Sequence, residues 1–217
     1  MDSLTVTLRM RDVTIALGVA DGYGESLNRI RLQKFVYLMD AIAIIFRELP
    51  PSEGHYTFKH GPFDPAIQSA VDSLAFRGLV AIPKLTMTDE GKVSAIYKLS
   101  EGGKDCFTRM VASAATADRV TIAQAVATRV ERLGWSRLRE LVYAEPTFLK
   151  ARGLRYGQKL FPYKGREVST GRLLGIIRRA LSAKGIEPSR DIVLDAYFEY
   201  LDKYARSQHQ TAFAEAD

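Results

Sequence analysis

The sequence places basic, aromatic and glycine residues close together between residues 150 and 166. This segment has the sequence KARGLRYGQKLFPYKGR, in which Arg and Lys alternate with Tyr156, Phe161 and Tyr163. Cationic side chains neutralise phosphates, aromatic rings stack on bases, and glycine permits a close approach of the backbone. The pattern therefore predicts nucleic-acid binding. Two alternatives stay open: a solvated basic loop whose aromatic rings enter the core, or a surface that binds an acidic protein.

The positive charge is concentrated in the second half of the chain. The chain carries 31 Lys and Arg residues against 25 Asp and Glu residues. Residues 1–117 are balanced, whereas residues 145–190 carry 11 basic and three acidic residues, and residues 191–217 are acidic. A basic segment with such boundaries favours a polyanion as partner. The predicted DNA contacts are Lys150, Arg152, Arg155, Lys159, Lys164, Arg166, Arg178 and Arg179.

Residue types that support catalysis are not arranged as a catalytic site in the sequence. His55, His60 and His209 lack the H-x-x-x-H or H-E-x-x-H spacing of a zinc site. The single Cys106 falls on a predicted apolar helix face, where a thiol is typically inert. The glycines near Thr170 match neither common nucleotide-binding pattern. We therefore predict a protein that is not an enzyme and needs no metal or cofactor.

Length and composition predict one soluble protein with a substantial core. The chain has 217 residues, of which 47% are hydrophobic. The N-terminus lacks the basic and apolar regions of a signal peptide, and the most apolar run, residues 35–46, is too short to cross a membrane. One cysteine cannot form an internal disulfide. These features predict a cytoplasmic location.

The elements that must position the basic segment are mainly helical. Apolar residues have helical spacing over residues 10–20 and again from an N-cap at Ser26 or Asn28 to Pro50. The second of these helices is apolar on nearly all sides, which is typical of a central core helix. A short strand over residues 55–59 and a turn over residues 60–65 follow.

Residues 64–112 have the element order of a winged helix-turn-helix. A helix capped by Asp64 covers residues 65–77, and strands follow at residues 79–84 and 94–99. The polar turn 88–91 joins these strands, and Ser100 begins another helix. Helix, strand, turn, strand and helix, after earlier helices, is the winged-helix order.

The rest of the chain is predicted to be helical, apart from one long loop at residues 148–169. The predicted helices cover residues 121–133, 136–143, 170–184 and 189–204. We therefore predict a mainly α protein with a small β wing. Its winged helix-turn-helix domain covers residues 1–117, and a C-terminal helical extension with a basic loop covers residues 118–217.

Two motifs resemble a known family. Residues 32–38 are LQKFVYL, residues 58–67 are FKHGPFDPAI, and a further matching stretch lies at residues 74–80. Over about residues 27–100 the sequence resembles the YwgA-like and Panacea (SocA-like antitoxin) winged-helix proteins, which combine an LQK helix with a GP turn into the next helix. The resemblance implies a small bacterial or phage-linked protein, encoded beside toxins or in defence clusters, without established catalytic residues.

The predicted helix after the GP turn is poorly suited to reading DNA in the usual way. A recognition helix needs Arg, Lys, Asn or Gln side chains that face the bases and phosphates, but this helix carries Asp64 and Asp72. It is therefore predicted to contact protein or the core. The residues predicted at a protein interface are Phe63, Phe76, Tyr197, Tyr200 and Tyr204.

Two functions follow from these patterns. The first is a regulator, or the DNA-contacting component of a toxin–antitoxin or antiphage system, that binds DNA as a homodimer through residues 145–190. The second is a non-catalytic adaptor or antitoxin that binds a partner protein from the same gene cluster. A continuous basic surface would favour the first, and an exposed apolar groove near Phe63 and Phe76 would favour the second.

Overall fold

Helices dominate the computed structural model, which describes residues 3–46, 54–59, 61–87, 93–153, 156–161 and 169–214. The helices are α1 (Ser3–Gly22), α2 (Arg29–Ile42), α3 (Pro65–Phe76), α4 (Glu101–Ala112), α5 (Ala117–Leu133), α6 (Leu138–Tyr143), α7 (Pro146–Arg152), α8 (Ser169–Ala183) and α9 (Arg190–Ala214). The strands are β1 (Leu27–Asn28), β2 (Tyr56–Phe58), β3 (Gly61–Phe63), β4 (Val80–Met87) and β5 (Val93–Leu99). The prediction of a mainly α protein with a small β component is confirmed.

Three predicted helix starts are confirmed at the level of single hydrogen bonds. The side chains of Asn28, Asp64 and Ser100 each accept a hydrogen bond from a backbone N–H in the first turn of the helix that follows. Such caps satisfy N–H groups that have no partner within the helix. Pro65 occupies the first turn of α3, where its missing N–H costs nothing.

The larger sheet is antiparallel, with the strand order β1-β5-β4. Leu27 pairs with Tyr97, and β5 pairs along its length with β4. In β4 only Val80 is buried, and every residue from 81 to 87 is exposed. The outer part of β4 therefore contributes little to the core. The predicted turn at residues 88–91 lies outside the described residues.

The prediction of a turn at residues 60–65 was wrong in part. Gly61–Phe63 is a strand that pairs antiparallel with Tyr56–Phe58. The strand predicted over residues 55–59 is confirmed as β2, but β3 has only three residues and is too short for an alternating pattern to be visible in the sequence. His60, between the two strands, lies outside the described residues.

Gly61 allows this hairpin to lie close to α2. Its φ angle of 91° is in the left-handed region that favours glycine. A Cβ at this position would lie 2.5 Å from Nζ of Lys34 and 2.6 Å from the ring of Tyr143. The glycine of the GP motif is therefore required both by the backbone conformation and by close packing.

The long loop predicted at residues 148–169 was also wrong in part, because α7 occupies its start. Beyond α7, residues 156–160 lie along β2. The N–H of Thr57 donates to the carbonyl of Gln158 at 2.9 Å, and the N–H of Leu160 donates to the carbonyl of His55 at 2.8 Å. A stretch of the predicted basic loop is thus fixed to the N-terminal half by backbone hydrogen bonds.

One hydrophobic core includes residues from both halves of the chain. Residues 32–42 of α2 are all buried, as expected for a central helix. Helix α2 packs against α1 on one side and against α5 and α6 from the second half. Residues 1–117 and 118–217 therefore share their apolar interior. No described helix is both long and apolar enough to cross a membrane.

Candidate nucleic-acid interface

All predicted DNA contacts that the structure describes are exposed. Lys150 and Arg152 lie on α7, Lys159 pairs with Tyr56 beside β2, and Arg178 and Arg179 lie on α8. The other three predicted contacts lie outside the described residues, and these are Arg155, Lys164 and Arg166. Arg152 alone of these five described residues lines the cavities described next; the others do not, and these are Lys150, Lys159, Arg178 and Arg179.

Helix α7 and the 156–160 segment meet the β2–β3 hairpin around a surface cavity of about 110 Å³. Lys59 from the hairpin and Arg152 from α7 supply positive charge to this cavity. Phe58 and Tyr156 supply aromatic rings, and Tyr156 is 68% exposed. Cations and accessible rings from two distant parts of the sequence therefore face the same space.

Two further cavities are connected to the first in sequence through shared lining residues. A cavity of about 310 Å³ shares Tyr143 and Arg152 with it and is also lined by Arg139 and Tyr204. A cavity of about 190 Å³ shares Arg139 with the second and is also lined by Trp135. We call these three cavities the basic groove. Its cationic lining residues are Arg31, Lys34, Lys59, Arg139 and Arg152.

Acidic side chains are scarce along the basic groove. Among the described residues that line it, Glu140 alone is acidic, and Arg137 pairs with Glu140 at 3.1 Å. Arg31 pairs with Glu25 at 3.1 Å, and both of these side chains are partly exposed. A concave surface lined by one sign of charge concentrates counter-ions of the opposite sign. The groove is therefore suited to a polyanion.

Sequence reasoning missed four of the five cations of the groove. Arg31, Lys34, Lys59 and Arg139 lie outside residues 145–190, in regions whose local charge is balanced. Charge density along the chain therefore could not identify them. Lys34 had a separate signal, because it belongs to the LQK motif, but that motif did not specify where the side chain lies.

The two motifs of the sequence meet in space. Gln33 makes a pair of hydrogen bonds with the backbone of Asp64: its Nε2 donates to the carbonyl and its Oε1 accepts from the N–H, both at 2.9 Å. Nζ of Lys34 donates to the carbonyl of Pro62 at 3.0 Å. These contacts hold the hairpin and the start of α3 against α2. The motifs therefore build one wall of the groove.

Glu145 fixes the position of α7. Its carboxylate accepts hydrogen bonds from the hydroxyls of Tyr37 and Thr170, from the hydroxyl of Tyr197 at 3.4 Å, and from the N–H of Phe148 at 2.9 Å. Burial and the charge of Glu145 raise the pKa of Tyr37 and of Tyr197 well above the usual value, so both hydroxyls stay protonated and donate. One carboxylate thus joins α2, α7, α8 and α9.

A second buried cluster joins α1, α2 and the start of α3 to α5. Arg9 donates to Asp12 at 2.9 Å and to both Asp40 and Asp64 at 2.7 Å. Arg119 donates to Asp12 at 2.9 Å and to Asp40 at 2.6 Å. Burial alone would raise the pKa of Asp40, but Arg9 and Arg119 hold it well below its usual value. All five side chains are buried, so this ion cluster is structural.

His55 and Cys106 are the histidine and the cysteine whose side chains the structure describes. Buried His55 lies with Nε2 3.2 Å from Asp40, and burial lowers the pKa of His55. Cys106 is half-buried on α4. Among the described residues, no group of three or more His, Cys, Asp or Glu side chains is arranged to hold a metal ion.

Lys34 should make stability depend on pH. Burial and the positive charge of Arg139 lower the pKa of Lys34 from 10.5 to about 7. Between these two values the unfolded chain binds a proton that the folded protein does not, so the free energy of unfolding should rise with pH. We expect Lys34→Met to reduce this rise, measured as the urea midpoint from about pH 7 to about pH 10. Parallel profiles for the two proteins would contradict the assignment.

The predicted protein-interface residues do not lie on one surface. Tyr197 is completely buried and bonded to Glu145, so its assignment to an interface was wrong and it belongs to the core. Tyr200 stacks on Tyr204 with ring centroids 6.1 Å apart, and Tyr204 lines the groove. Helical spacing alone did not distinguish the buried from the exposed members of this aromatic stripe.

The two predicted phenylalanines have different surroundings. Phe63 is half-buried in the hairpin, with its ring centroid 5.5 Å from that of Phe58 and 5.7 Å from the guanidinium of Arg29. Phe76 ends α3 and is 95% exposed. Phe63 therefore belongs to the hairpin that borders the groove, and Phe76 remains a candidate for contact with a partner.

Comparison with known proteins adds no family to this description. No protein-family model matches the sequence, and no match to a curated protein is found. The function must therefore be inferred from the site itself.

Proposed function

We propose that this protein binds DNA and contacts it through the basic groove. The observation that carries the proposal is the convergence of five cations from α2, α6, α7 and the hairpin on three adjoining cavities. Cations in such a groove meet phosphates, and the exposed rings of Phe58 and Tyr156 offer stacking surfaces for unpaired bases. The protein acts as a regulator or as the DNA-contacting component of a bacterial toxin–antitoxin or antiphage system.

We further propose that residues 1–112 form a winged helix with one insertion. The elements α1, β1, α2, α3, β4 and β5 follow the order of that fold, and the sheet order β1-β5-β4 is compatible with it. The β2–β3 hairpin is inserted between α2 and α3. The insertion carries Lys59 and contacts the 156–160 segment, so it connects the winged helix to the groove.

The usual DNA-reading surface of a winged helix, formed by α3 and the β4–β5 hairpin, is a weaker candidate. Helix α3 exposes Asp72 and the apolar ring of Phe76, and β4 exposes Leu85 and Met87. A carboxylate repels phosphates, and apolar side chains supply neither hydrogen bonds nor charge to the backbone. The charge of the two surfaces therefore favours the basic groove as the DNA-binding surface.

The experiment is a salt titration of binding to labelled random-sequence DNA, both duplex and single-stranded. The site variant carries Lys59→Glu, Arg139→Glu and Arg152→Glu, three exposed positions in the groove. The matched control carries Arg77→Glu, Lys84→Glu and Lys98→Glu on α3 and the β4–β5 hairpin, with the same change in net charge. Circular dichroism and urea unfolding establish that both variants fold.

We expect wild-type affinity to fall by about a hundredfold or more between about 50 and 200 mM salt, since about four phosphate contacts, from the groove cations other than buried Lys34, would release as many counter-ions. The site variant should bind at least about a hundredfold more weakly than wild type, and the control should change little. Loss of DNA binding in the control variant alone would assign the DNA contacts to α3 and the β4–β5 hairpin instead of the groove. No binding by wild type at the lowest salt would reject the DNA function.

A second candidate function is supported by the exposed apolar side chains of the β4–β5 hairpin. Met87 is 75% exposed, shares one face of β4 with Leu85 and pairs with exposed Val93 on β5. Apolar clusters of this kind mark protein interfaces. We propose as the alternative a non-catalytic adaptor or antitoxin that binds a protein encoded in the same gene cluster.

This alternative is tested with Met87→Ser combined with Val93→Ser. The adaptor function predicts that the double variant no longer binds the protein encoded by the neighbouring gene, while its DNA binding is unchanged. Sedimentation equilibrium of wild type and variant tests the homodimer, which would have twice the monomer mass of 24.2 kDa. A wild-type monomer that binds neither the gene product nor DNA would reject both functions.

A further inference from the structure

The cavity of about 190 Å³ at one end of the basic groove has a distinct set of lining residues. Arg31, Lys34 and Arg139 contribute three cations, and Ser136 contributes a hydroxyl. None of the described residues that line this cavity is acidic. Sites for drug-sized molecules typically occupy about 300–1,000 Å³. The cavity is therefore of a size for one small anionic group.

Lys34 and Arg139 line this cavity together, and the two side chains repel each other when Lys34 is protonated. Lys34 is only 3% exposed and is held by the carbonyl of Pro62, while Arg139 is exposed and makes no ion pair with any other described residue. The charge of Arg139 contributes, after burial, to lowering the pKa of Lys34 to about 7. An anion beside both groups would relieve this repulsion and favour the protonated form of Lys34.

The third cation is partly neutralised. Arg31 pairs with Glu25 at 3.1 Å, but the guanidinium has five N–H donors, and this ion pair engages Nη1. The planar guanidinium groups of Arg31 and Arg139 have the donor geometry that binds phosphate oxygens. The hydroxyl of Ser136 is a further donor.

We propose that this cavity binds a single phosphate group through Arg31, Arg139 and Ser136, with Lys34 adding positive charge at its wall. This inference rests on the proposed DNA function in one respect, because a DNA strand in the groove would supply the phosphate. Inorganic phosphate has the same chemistry and is the second source. Both sources are compared in the experiment.

The probe is built into the cavity. Trp135 is the single tryptophan of the chain and lines the same cavity, with its ring stacked on Phe35. Wild-type protein is titrated with inorganic phosphate and, separately, with a short oligonucleotide that carries or lacks a terminal phosphate. Tryptophan emission and calorimetric heats are recorded at constant ionic strength, with chloride replacing phosphate in the reference titration.

We expect saturable binding of inorganic phosphate that chloride does not reproduce. Arg139→Gln should weaken phosphate binding by about tenfold or more, since it removes a charged donor. The matched control is Arg77→Gln, an exposed Arg at the end of α3 that does not line the cavity, and it should bind phosphate as wild type does. Stronger binding of the terminally phosphorylated oligonucleotide than of its unphosphorylated form would identify a strand end as the source.

Each outcome separates this site from the proposed function. If neither fluorescence nor calorimetry detects saturable phosphate binding, or if Arg139→Gln binds phosphate as well as wild type, the phosphate site is wrong. If salt-dependent DNA binding persists in that case, the proposed DNA function of the basic groove still stands. If phosphate binds as expected while DNA of any form does not, the DNA function is rejected and the cavity takes inorganic phosphate.

Discussion

Asp40→Asn should lower the free energy of unfolding by about 3–5 kcal/mol, because it breaks a buried ion cluster while leaving its cations in place. Asp40 lies 2.7 Å from Nη2 of Arg9 and 2.6 Å from Nη2 of Arg119. Asparagine has nearly the same shape but no charge. Arg9 would then keep Asp12 and Asp64 as anionic partners, and Arg119 would keep Asp12.

Urea unfolding followed by circular dichroism measures this effect. Asp72→Asn is the matched control, since Asp72 is an exposed carboxylate on α3 whose Oδ1 accepts from Nε2 of Gln68 at 2.9 Å. Its removal should change stability by less than about 0.5 kcal/mol. If Asp40→Asn unfolds at the same urea concentration as Asp72→Asn, the ion cluster does not stabilise the fold in the way proposed.

The same cluster predicts the behaviour of the wild type in acid. Because the pKa of Asp40 in the folded protein is held well below its ordinary value, its contribution to stability is present above about pH 4. That contribution is lost as the pH falls from about 4 through the folded pKa. The Asp40→Asn variant should therefore lose less stability than wild type over this acid range.

Glu145→Gln is expected to cost about 2–3 kcal/mol although it changes the side-chain shape very little. Four donors converge on the two carboxylate oxygens of Glu145, from Tyr37, Phe148, Thr170 and Tyr197. A glutamine amide has one oxygen, and its NH₂ group cannot accept. The donors on that side would be left buried without an acceptor, which is where most of the cost arises.

The Glu145→Gln substitution should destabilise α7 locally as well as lower the stability of the whole fold. Amide hydrogen exchange is expected to accelerate first in α7, whose N-terminus is capped by Glu145, and urea unfolding gives the total loss. Glu199→Gln serves as control, because Glu199 is exposed and pairs with Lys203 on the same helix. Equal exchange rates in α7 of the Glu145→Gln variant and wild type would show that the carboxylate does not hold this helix.

The sequence allowed most helices to be predicted, together with the starts of α2, α3 and α4, because those starts depend on local chemistry. The starts of α1 and α5 were placed too late, at residues 10 and 121. Asn28, Asp64 and Ser100 act on N–H groups within a few residues of themselves, and the apolar pattern of α2 already indicates a central helix. The β2–β3 hairpin and α7 were missed in part. Strand β3 and α7 are too short to have a measurable period. The hairpin and α7 are also held by partners more than 80 residues away, because Thr57 donates to the carbonyl of Gln158 and Tyr37 donates to Glu145.

The candidate site was predicted only at one end. The sequence identified Arg152 and Tyr156 because they belong to a dense run of basic and aromatic residues. It did not identify Arg31 or Arg139, since both lie outside the dense basic run of residues 145–190. Their common position depends on how α2 and α6 pack, and that packing is set by buried side chains rather than by charge.

The buried ion cluster also determines when this chain can finish folding. Arg119, which pairs with Asp12 and Asp40, lies 107 residues after the first and 79 residues after the second. Glu145 lies 108 residues after Tyr37. During synthesis, the first hundred residues emerge before Arg119 can pair with Asp12 and Asp40. They also emerge before α5 and α6 can pack against α2. Contacts of such long range form late and slowly. A ribosome-bound intermediate of this protein therefore exposes apolar surface until the segment that follows α5 has emerged.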